Sequence, residues 1–301
     1  MKDLYASDAL GADNSDVMAS FGAPGMRHSI RPRRTVIDHE DEIDSDLPFE
    51  ESLPISSASA AAAPYVSDDR VPRWQDLPVA TPGPGGDMPL VDDHRNSAAA
   101  RAFDLLRTRL RQTTLEHGWV NIAITAPTSG CGNTFSATNL ALSLSRVPGS
   151  RTVLMDMNMR SPGLARAFDL ESPGAMSDLL GGRVDLGQQM LRVSDTLALG
   201  LNDQAEVNAA EILQDSATAE TLLRMRAALQ PEIVLYDMPP MLEHDDLSAF
   251  LPQLDGVLLI SDGSQTMARH LRECERMLEG QVPLLGIVLN RARASSLPKY
   301  A

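Results

Sequence analysis

Several residue types are scarce in this chain of 301 residues. The two cysteines, Cys131 and Cys274, lie far apart in unlike contexts, so we expect reduced thiols and no disulfide framework. Lysine occurs only at Lys2 and Lys299. The formal net charge is −15, so the chain lacks the basic excess that binds nucleic acid, and we expect no nucleic-acid partner.

Long apolar runs are also absent from the sequence. It has no stretch of about eighteen apolar residues, the length that spans a bilayer, and its N-terminus lacks the apolar segment of a signal peptide. We therefore expect a cytoplasmic protein. The hydrophobic fraction of 43% is nevertheless sufficient for one sizeable folded domain.

The composition of the chain changes near residue 95. Upstream of it, Pro, Gly, Ala and Ser cluster at residues 56–64 and 81–86, and an acidic run occupies residues 38–46. Such segments bury too little apolar surface to fold. The predicted organisation is a disordered acidic region rich in Pro, Ala and Ser over residues 1–95, a folded domain over 96–295 and a short tail over 296–301.

The folded region alternates short apolar strands with helices. Continuous apolar strands of this kind are buried on both faces, so the pattern predicts a doubly wound, mainly parallel α/β sheet with its ligand beyond the carboxyl ends of the strands. The predicted strands lie near residues 119–125, 152–155, 233–236, 256–260 and 284–289. The predicted helices lie near residues 98–114, 135–144, 163–168, 175–180, 186–191, 209–229, 245–251 and 267–278.

A glycine-rich loop over residues 126–134 joins the first predicted strand to a helix. Gly130 and Gly132 allow backbone N–H groups to point at an anion, and the helix N-terminus adds a partial positive charge. Asn133 stands where such a loop normally presents its lysine and carries no charge. Thr134 is a candidate ligand for Mg²⁺. The candidate nucleotide-binding residues here are Ser129, Gly130, Cys131, Gly132, Asn133, Thr134 and Phe135.

Two further predicted strands end in a carboxylate, Asp156 and Asp237. Two acids beside a phosphate loop suit Mg²⁺-nucleotide chemistry, because the metal must be held and the attacking group oriented. Asn158 and Arg160 lie on the same side of an extended segment as Asp156. Each acid taken alone is equally explained as a turn former or a helix cap.

Taken together, these motifs resemble the bacterial tyrosine kinases of capsule and exopolysaccharide systems, within the deviant-Walker P-loop ATPases. The likeness covers residues 97–293. Its elements are a first helix from Phe103, the loop at 126–134, an acidic motif at 154–162, a segment at 208–213, a second acidic motif at 235–242 and a strand at 286–290.

The resemblance implies a kinase-like protein that binds ATP or ADP with Mg²⁺ and works with a separate membrane chain-length or export subunit, which would recruit it to the inner face of the membrane. It implies that Asn290 lies near the adenine base and that Tyr300 is the phosphoacceptor. The implied catalytic residues are Asp156, Asn158, Arg160 and Asp237, and the implied metal ligands are Thr134 and Asp237.

The departures from the family pattern remove charge from this centre. Asn133 replaces the loop lysine and Asn158 replaces a carboxylate, so nucleotide binding can persist where catalysis is weakened or lost. Arg160 is the best candidate for a substitute cation, followed by Arg291. In relatives the first helix carries a Glu-x-x-Arg-x-x-Arg pattern that assembles them into rings. The corresponding residues here are Arg101, Asp104 and Arg107, which suit either a homo-oligomer contact or a solvated charged face.

Two other functions remain as alternatives. A MinD/ParA-like positioning ATPase normally carries a signature lysine early in the loop, where this chain has Thr128, and no basic amphipathic helix follows Asn290. The other alternative is a pseudokinase scaffold without nucleotide turnover, which an absence of nucleotide affinity would favour.

Overall fold

The computed structural model describes residues 72–83 and 88–292. A short 3-10 helix, Trp74–Asp76, precedes the main elements. In chain order these are α1 (Ala98–His117), β1 (Asn121–Thr125), α2 (Asn133–Ser145), β2 (Thr152–Asp156), α3 (Leu164–Phe168), α4 (Met176–Leu180), α5 (Leu186–Gln189), β3 (Met190–Arg192), β4 (Leu197–Gly200), α6 (Ala209–Gln214), α7 (Ser216–Leu229), β5 (Ile233–Asp237), α8 (Asp246–Phe250), β6 (Gly256–Asp262), α9 (Ala268–Leu278) and β7 (Leu284–Asn290).

The strands form one seven-stranded sheet in the order β3-β4-β2-β5-β1-β6-β7. All neighbours are parallel except β3 and β4, which are antiparallel. The predicted doubly wound, mainly parallel architecture is confirmed. The chain extends from β1 toward β2 on one side and toward β6 and β7 on the other. The loop after β1 therefore lies at the point where ligands bind in open α/β sheets.

Apolar clusters cover both faces of the sheet. One cluster includes Met155 and Tyr236, and the other includes Ile122 and Leu140. Every residue of β1, β2 and β5 is buried. These strands are apolar along most of their length because helices cover both faces of the sheet.

Three sequence predictions about local structure are wrong. The single helix predicted over residues 209–229 is broken at Asp215, whose side chain accepts a hydrogen bond from Ala217 N at 2.9 Å and so begins α7. The helix predicted over residues 186–191 ends at Gln189, and the chain continues directly as β3. The sequence does not predict strands β3 and β4, since strands of three and four residues give too short a pattern.

Residues 72–83 pack against the free edge of β3, although they lie upstream of the predicted boundary at residue 95. Trp74 is buried, with the guanidinium of Arg151 5.4 Å from its ring centroid. Val79 forms a parallel bridge with Arg192, and Ala80 N donates to Arg192 O at 2.9 Å. The described part of the predicted disordered region therefore extends the sheet by one short backbone pairing. Residues 1–71 and 293–301, with Tyr300, lie outside the described residues.

Part of the charged face of α1 forms contacts with other residues of the chain. Asp104 accepts hydrogen bonds from Arg107 at 3.2 Å, from the Ser143 hydroxyl at 2.8 Å and from Arg146. Two of the three residues predicted for a homo-oligomer contact therefore connect α1 to α2, whereas Arg101 is exposed. Oligomerisation through this face stays a prediction.

Across residues 72–83 and 88–292, none of the helices combines the length and apolar character needed to cross a bilayer.

Candidate functional site

The glycine-rich loop connects the end of β1 to the start of α2. Gly130 has φ +79° and Gly132 has φ +89°, a left-handed conformation that glycine adopts without the penalty paid by other residues. A Cβ atom at Gly132 would lie 2.4 Å from Asn290 Nδ2. Conformation and crowding therefore both require glycine where the loop enters α2.

We expect Gly132→Ala to lower the free energy of unfolding by about 2 kcal/mol, because left-handed strain and displacement of Asn290 add. Gly149→Ala is the matched control, since Gly149 has φ +77° and a Cβ atom there would have no heavy atom within 4 Å. The control is expected to lose about 1 kcal/mol. Urea denaturation compares the two variants, and equal losses would show that Asn290 does not crowd this position.

Three successive carbonyl groups of the loop accept hydrogen bonds from side chains near the ends of β6 and β7. The pairs are Ser129 O with Gln265 Nε2 at 3.1 Å, Gly130 O with Arg291 Nη1 at 2.7 Å, and Cys131 O with Asn290 Nδ2 at 2.8 Å. The N–H groups of residues 130–132 donate to no acceptor within the described part of the chain. With its carbonyls held on the outer side, the loop presents free N–H groups of the kind that bind phosphate.

The two predicted acids lie side by side. Asp156 ends β2, Asp237 ends β5, and the two residues are direct partners in the parallel register. Both are fully buried. Asp156 Oδ2 accepts from the N–H groups of Gly163 and Leu164, each at 2.9 Å. Asp156 Oδ1 and Asp237 Oδ2 have no hydrogen-bond partner among the described residues.

Burial changes the ionisation of both carboxyl groups. It raises the pKa of Asp156 from its ordinary 3.8 to about 7, against the opposing effect of the backbone hydrogen bonds. Burial also raises the pKa of Asp237, and the charge of Asp156 raises it further, whereas hydrogen bonds from Thr134 and Asn133 lower it. No cationic side chain of the described residues contributes to the pKa of either carboxyl group.

The acid pair has the donor set that a hard divalent cation prefers. Two buried carboxylate oxygens are free, and the Thr134 hydroxyl hydrogen-bonds to Asp237 beside them. In the part of the chain that the structure describes, no three His, Cys, Asp or Glu side chains form a metal cage. Mg²⁺ commonly takes only one or two protein carboxylates and completes its shell with phosphates and water, so the residues present fit this ion.

The two asparagines that replace charged residues make local contacts. Asn133 is buried, and its Nδ2 donates to Asp237 Oδ1 at 3.0 Å and to Met238 O at 2.9 Å. Its side chain is thus used at the acid pair. Asn158 is also buried, and its Oδ1 accepts from Ser161 N at 3.3 Å within a turn.

Neither arginine considered as a lysine substitute contacts the free N–H groups. Arg160 forms a bidentate pair with buried Asp246, at 2.7 and 2.9 Å, and donates to Val207 O at 3.1 Å. Arg291 contacts the loop on its carbonyl side and pairs with Asp262. Both arginines are therefore engaged by acids and carbonyl groups of the chain.

The remaining predicted residues stabilise the loop. Asn290 donates to Cys131 O and accepts from Arg291 N at 2.9 Å, so its amide is engaged by the protein itself. Cys131 is buried, with its sulfur 3.5 Å from the Thr266 hydroxyl. Phe135 packs edge-to-face on Phe103 with ring centroids 5.9 Å apart.

Sequence reasoning missed Glu243 and Gln265. Glu243 accepts from Ser129 N at 2.7 Å and from the Ser129 hydroxyl. A carboxylate six residues after Asp237 is visible in the sequence, but the pattern does not indicate which way its side chain turns.

No protein-family profile matches the chain. Curated relatives do match. Putative tyrosine-protein kinase EpsB of Ralstonia nicotianae is 29% identical over 190 residues, which is 62% of this chain and 24% of that protein. Tyrosine-protein kinase YwqD of Bacillus subtilis is 25% identical over 207 residues, 68% of this chain and 86% of that protein. The succinoglycan biosynthesis transport protein ExoP of Rhizobium meliloti is 28% identical over 191 residues, 60% of this chain and 23% of that protein.

The predicted resemblance to the bacterial tyrosine kinases is confirmed. The kinase domain of the Escherichia coli tyrosine kinase ETK matches with a TM-score of 0.62 and 20% identity, over 75% of this chain and 94% of that domain, which establishes a kinase-domain fold. The chain spans about a quarter of the length of EpsB and ExoP. Within this kinase-like fold, the loop, Asp156, Asp237, Thr134 and Asn290 come together, whereas Arg160 lies in a separate ion pair.

Proposed function

We propose that the chain is a tyrosine-kinase-like P-loop nucleotide-binding protein of exopolysaccharide or capsule biosynthesis, with weakened catalysis. It binds ATP or ADP together with Mg²⁺ and acts with a separate membrane chain-length or export subunit that recruits it from the cytoplasm to the membrane. The kinase and polysaccharide proteins among its relatives support this assignment.

One observation carries the proposal. The free N–H groups of the loop lie next to two register-paired carboxylates, each with a free oxygen. The first group of atoms suits phosphate and the second suits Mg²⁺, and a Mg²⁺-nucleotide presents both. A scaffold without a ligand would leave these buried oxygens unsatisfied at a cost in stability.

The residues have distinct roles in this proposal. The amides of residues 130–134 bind the phosphates, while Thr134 and Asp237 hold Mg²⁺, which would neutralise phosphate charge when bound. Asp156 orients a tyrosine hydroxyl and accepts its proton. Asn133 supplies no charge to the transferred group, and losing such a transition-state contact lowers rates by roughly 10²–10³-fold.

Isothermal titration calorimetry of the full chain with ATP and ADP, with and without Mg²⁺, tests the proposal. We expect Mg²⁺-dependent binding that Asp237→Asn weakens by at least tenfold, because it removes a charged metal ligand. Asp255→Asn is a suitable control, since Asp255 precedes β6 at the other end of the strands, where it accepts from Val120 N and Asn121 N at 2.8 Å. An absence of binding to either nucleotide would refute the nucleotide site and leave the scaffold.

Catalysis requires a separate measurement. Radiolabelled ATP incubated with the full chain is expected to label tyrosine slowly or not at all, and any label is expected at Tyr300. Rapid labelling comparable to that of a lysine-containing kinase would contradict the proposed weakening by Asn133.

A further inference from the structure

Glu243 is held beside the phosphate loop by backbone hydrogen bonds. Met241 N donates to Ala126 O at 2.9 Å, and Leu242 N donates to Pro127 O at 3.2 Å. The segment before Glu243 therefore runs along the start of the loop in a fixed register. This pairing brings Glu243 alongside the loop, where its side chain reaches Ser129.

The carboxylate of Glu243 occupies both donors of Ser129. One oxygen accepts from Ser129 N at 2.7 Å, and the other accepts from the Ser129 hydroxyl. The carbonyl of the same residue is held by Gln265 at 3.1 Å. Ser129 thus turns its donors toward the acid, which here takes the place that an anionic ligand oxygen would take.

Glu243 is ionised at neutral pH. Partial burial raises its pKa, but the hydrogen bonds from Ser129, together with His244, outweigh this and hold the pKa below its ordinary value. A negative charge is therefore fixed at Ser129, four residues before α2 begins at Asn133. Backbone N–H groups at the N-terminus of the helix hold the inner phosphates in such loops, so we place the outermost phosphate of a triphosphate toward Ser129.

We infer that Glu243 determines the phosphate-length preference of the site, favouring a nucleoside diphosphate over the triphosphate by occupying the Ser129 end of the loop. The inference rests on the proposed nucleotide site. The added phosphate brings one more negative charge toward Glu243 and must displace it from Ser129. Asn133 offers no positive charge to offset this repulsion.

Calorimetry of the full chain with Mg·ADP and Mg·ATP tests the inference through Glu243→Gln. A unit charge at about 8 Å in a partly aqueous setting changes affinity roughly threefold, and release of Ser129 adds to this. We expect the ratio of ATP to ADP affinity to rise by roughly 3–10-fold. Glu116→Gln is the matched control. Glu116 is an exposed acid near the end of α1, which precedes β1, so it lies at the opposite end of the strands from the loop.

The outcomes distinguish a failure of the role of Glu243 from a failure of the nucleotide site. If wild type and Glu243→Gln bind nucleotide with the same ATP to ADP ratio, the role of Glu243 is overturned while the nucleotide site stands. An equal shift in Glu116→Gln would also overturn it, since the effect would then be one of net charge. If no variant binds either nucleotide, the proposed function fails and the inference fails with it.

Discussion

Asp156→Asn is expected to raise the free energy of unfolding at pH 8 by about 3 kcal/mol, measured without nucleotide or Mg²⁺. Two adjacent carboxylates are buried with no cationic side chain paired to them in the described part of the chain, and ionisation of this pair opposes folding. Asparagine keeps an oxygen to accept from Gly163 N and Leu164 N, so it removes the charge and retains the hydrogen bonds.

The sign of the pH dependence follows from the raised pKa. Between about pH 4 and pH 7 the folded protein retains a proton that the unfolded chain has released, because the pKa of Asp156 moves from 3.8 to about 7. Stability therefore falls as pH rises through this range. The pKa of Asp237 is raised as well, partly by the charge of Asp156, so the titration belongs to both residues.

Urea denaturation at pH 5 and pH 8 measures the effect. The wild type is expected to lose stability between these values, and Asp156→Asn is expected to show a smaller loss. Asp262→Asn is a control for which we expect a stability change of the opposite sign. The Ser264 hydroxyl and the Arg291 guanidinium lower the pKa of Asp262, so its charge stabilises the fold at pH 8 and its removal should destabilise it. If Asp156→Asn is less stable than wild type at pH 8, ionisation of the acid pair does not oppose folding.

Asn133→Lys is expected to tighten Mg·ATP binding by roughly 10–100-fold, because one charge-assisted contact contributes about 1.5–3 kcal/mol. Residue 133 begins α2, directly after the loop, and its side chain reaches Asp237. An ammonium group there would compensate the acid pair and reach an anion bound by the loop. The Asn133 side chain forms hydrogen bonds to Asp237 and Met238, but it has no charge that could bind an anion in the loop.

Asn133→Gln and Asn133→Met separate charge from length. Glutamine retains the amide, and methionine has a length close to that of lysine without its charge. Calorimetry on the three variants should show tightening with lysine alone. Equal gains in all three would mean that shape determines affinity, and unchanged affinity in a folded Asn133→Lys protein would mean that the loop does not take nucleotide phosphates.

Much of the site could be predicted from the sequence because its signals are local. A glycine-rich turn between an apolar strand and a helix has few structural solutions, and Asp156 and Asp237 each end an apolar run. Their adjacency then follows from parallel topology, in which strand ends meet at one edge. The strand pattern likewise indicates the doubly wound sheet.

The parts that could not be predicted depend on side-chain direction across long sequence separations. By its place in the sequence Arg160 is a reasonable cation for the loop, yet Asp246, 86 residues away, binds it. The place of Asn290 near a base stays a prediction, and the sequence does not show that its side chain supports the carbonyl of Cys131, 159 residues away. The sequence shows that such polar residues are available, but their pairing depends on how α8 and β7 pack.

The three side chains that hold the loop carbonyls have a thermodynamic consequence for ligand capture. Gln265, Arg291 and Asn290 fix successive peptide groups of residues 129–131 before any ligand arrives. Little backbone freedom then remains to be lost when a phosphate binds. Weak affinity at this site would consequently arise from missing charge, and restoring charge should improve affinity through slower ligand release, with the association rate nearly unchanged.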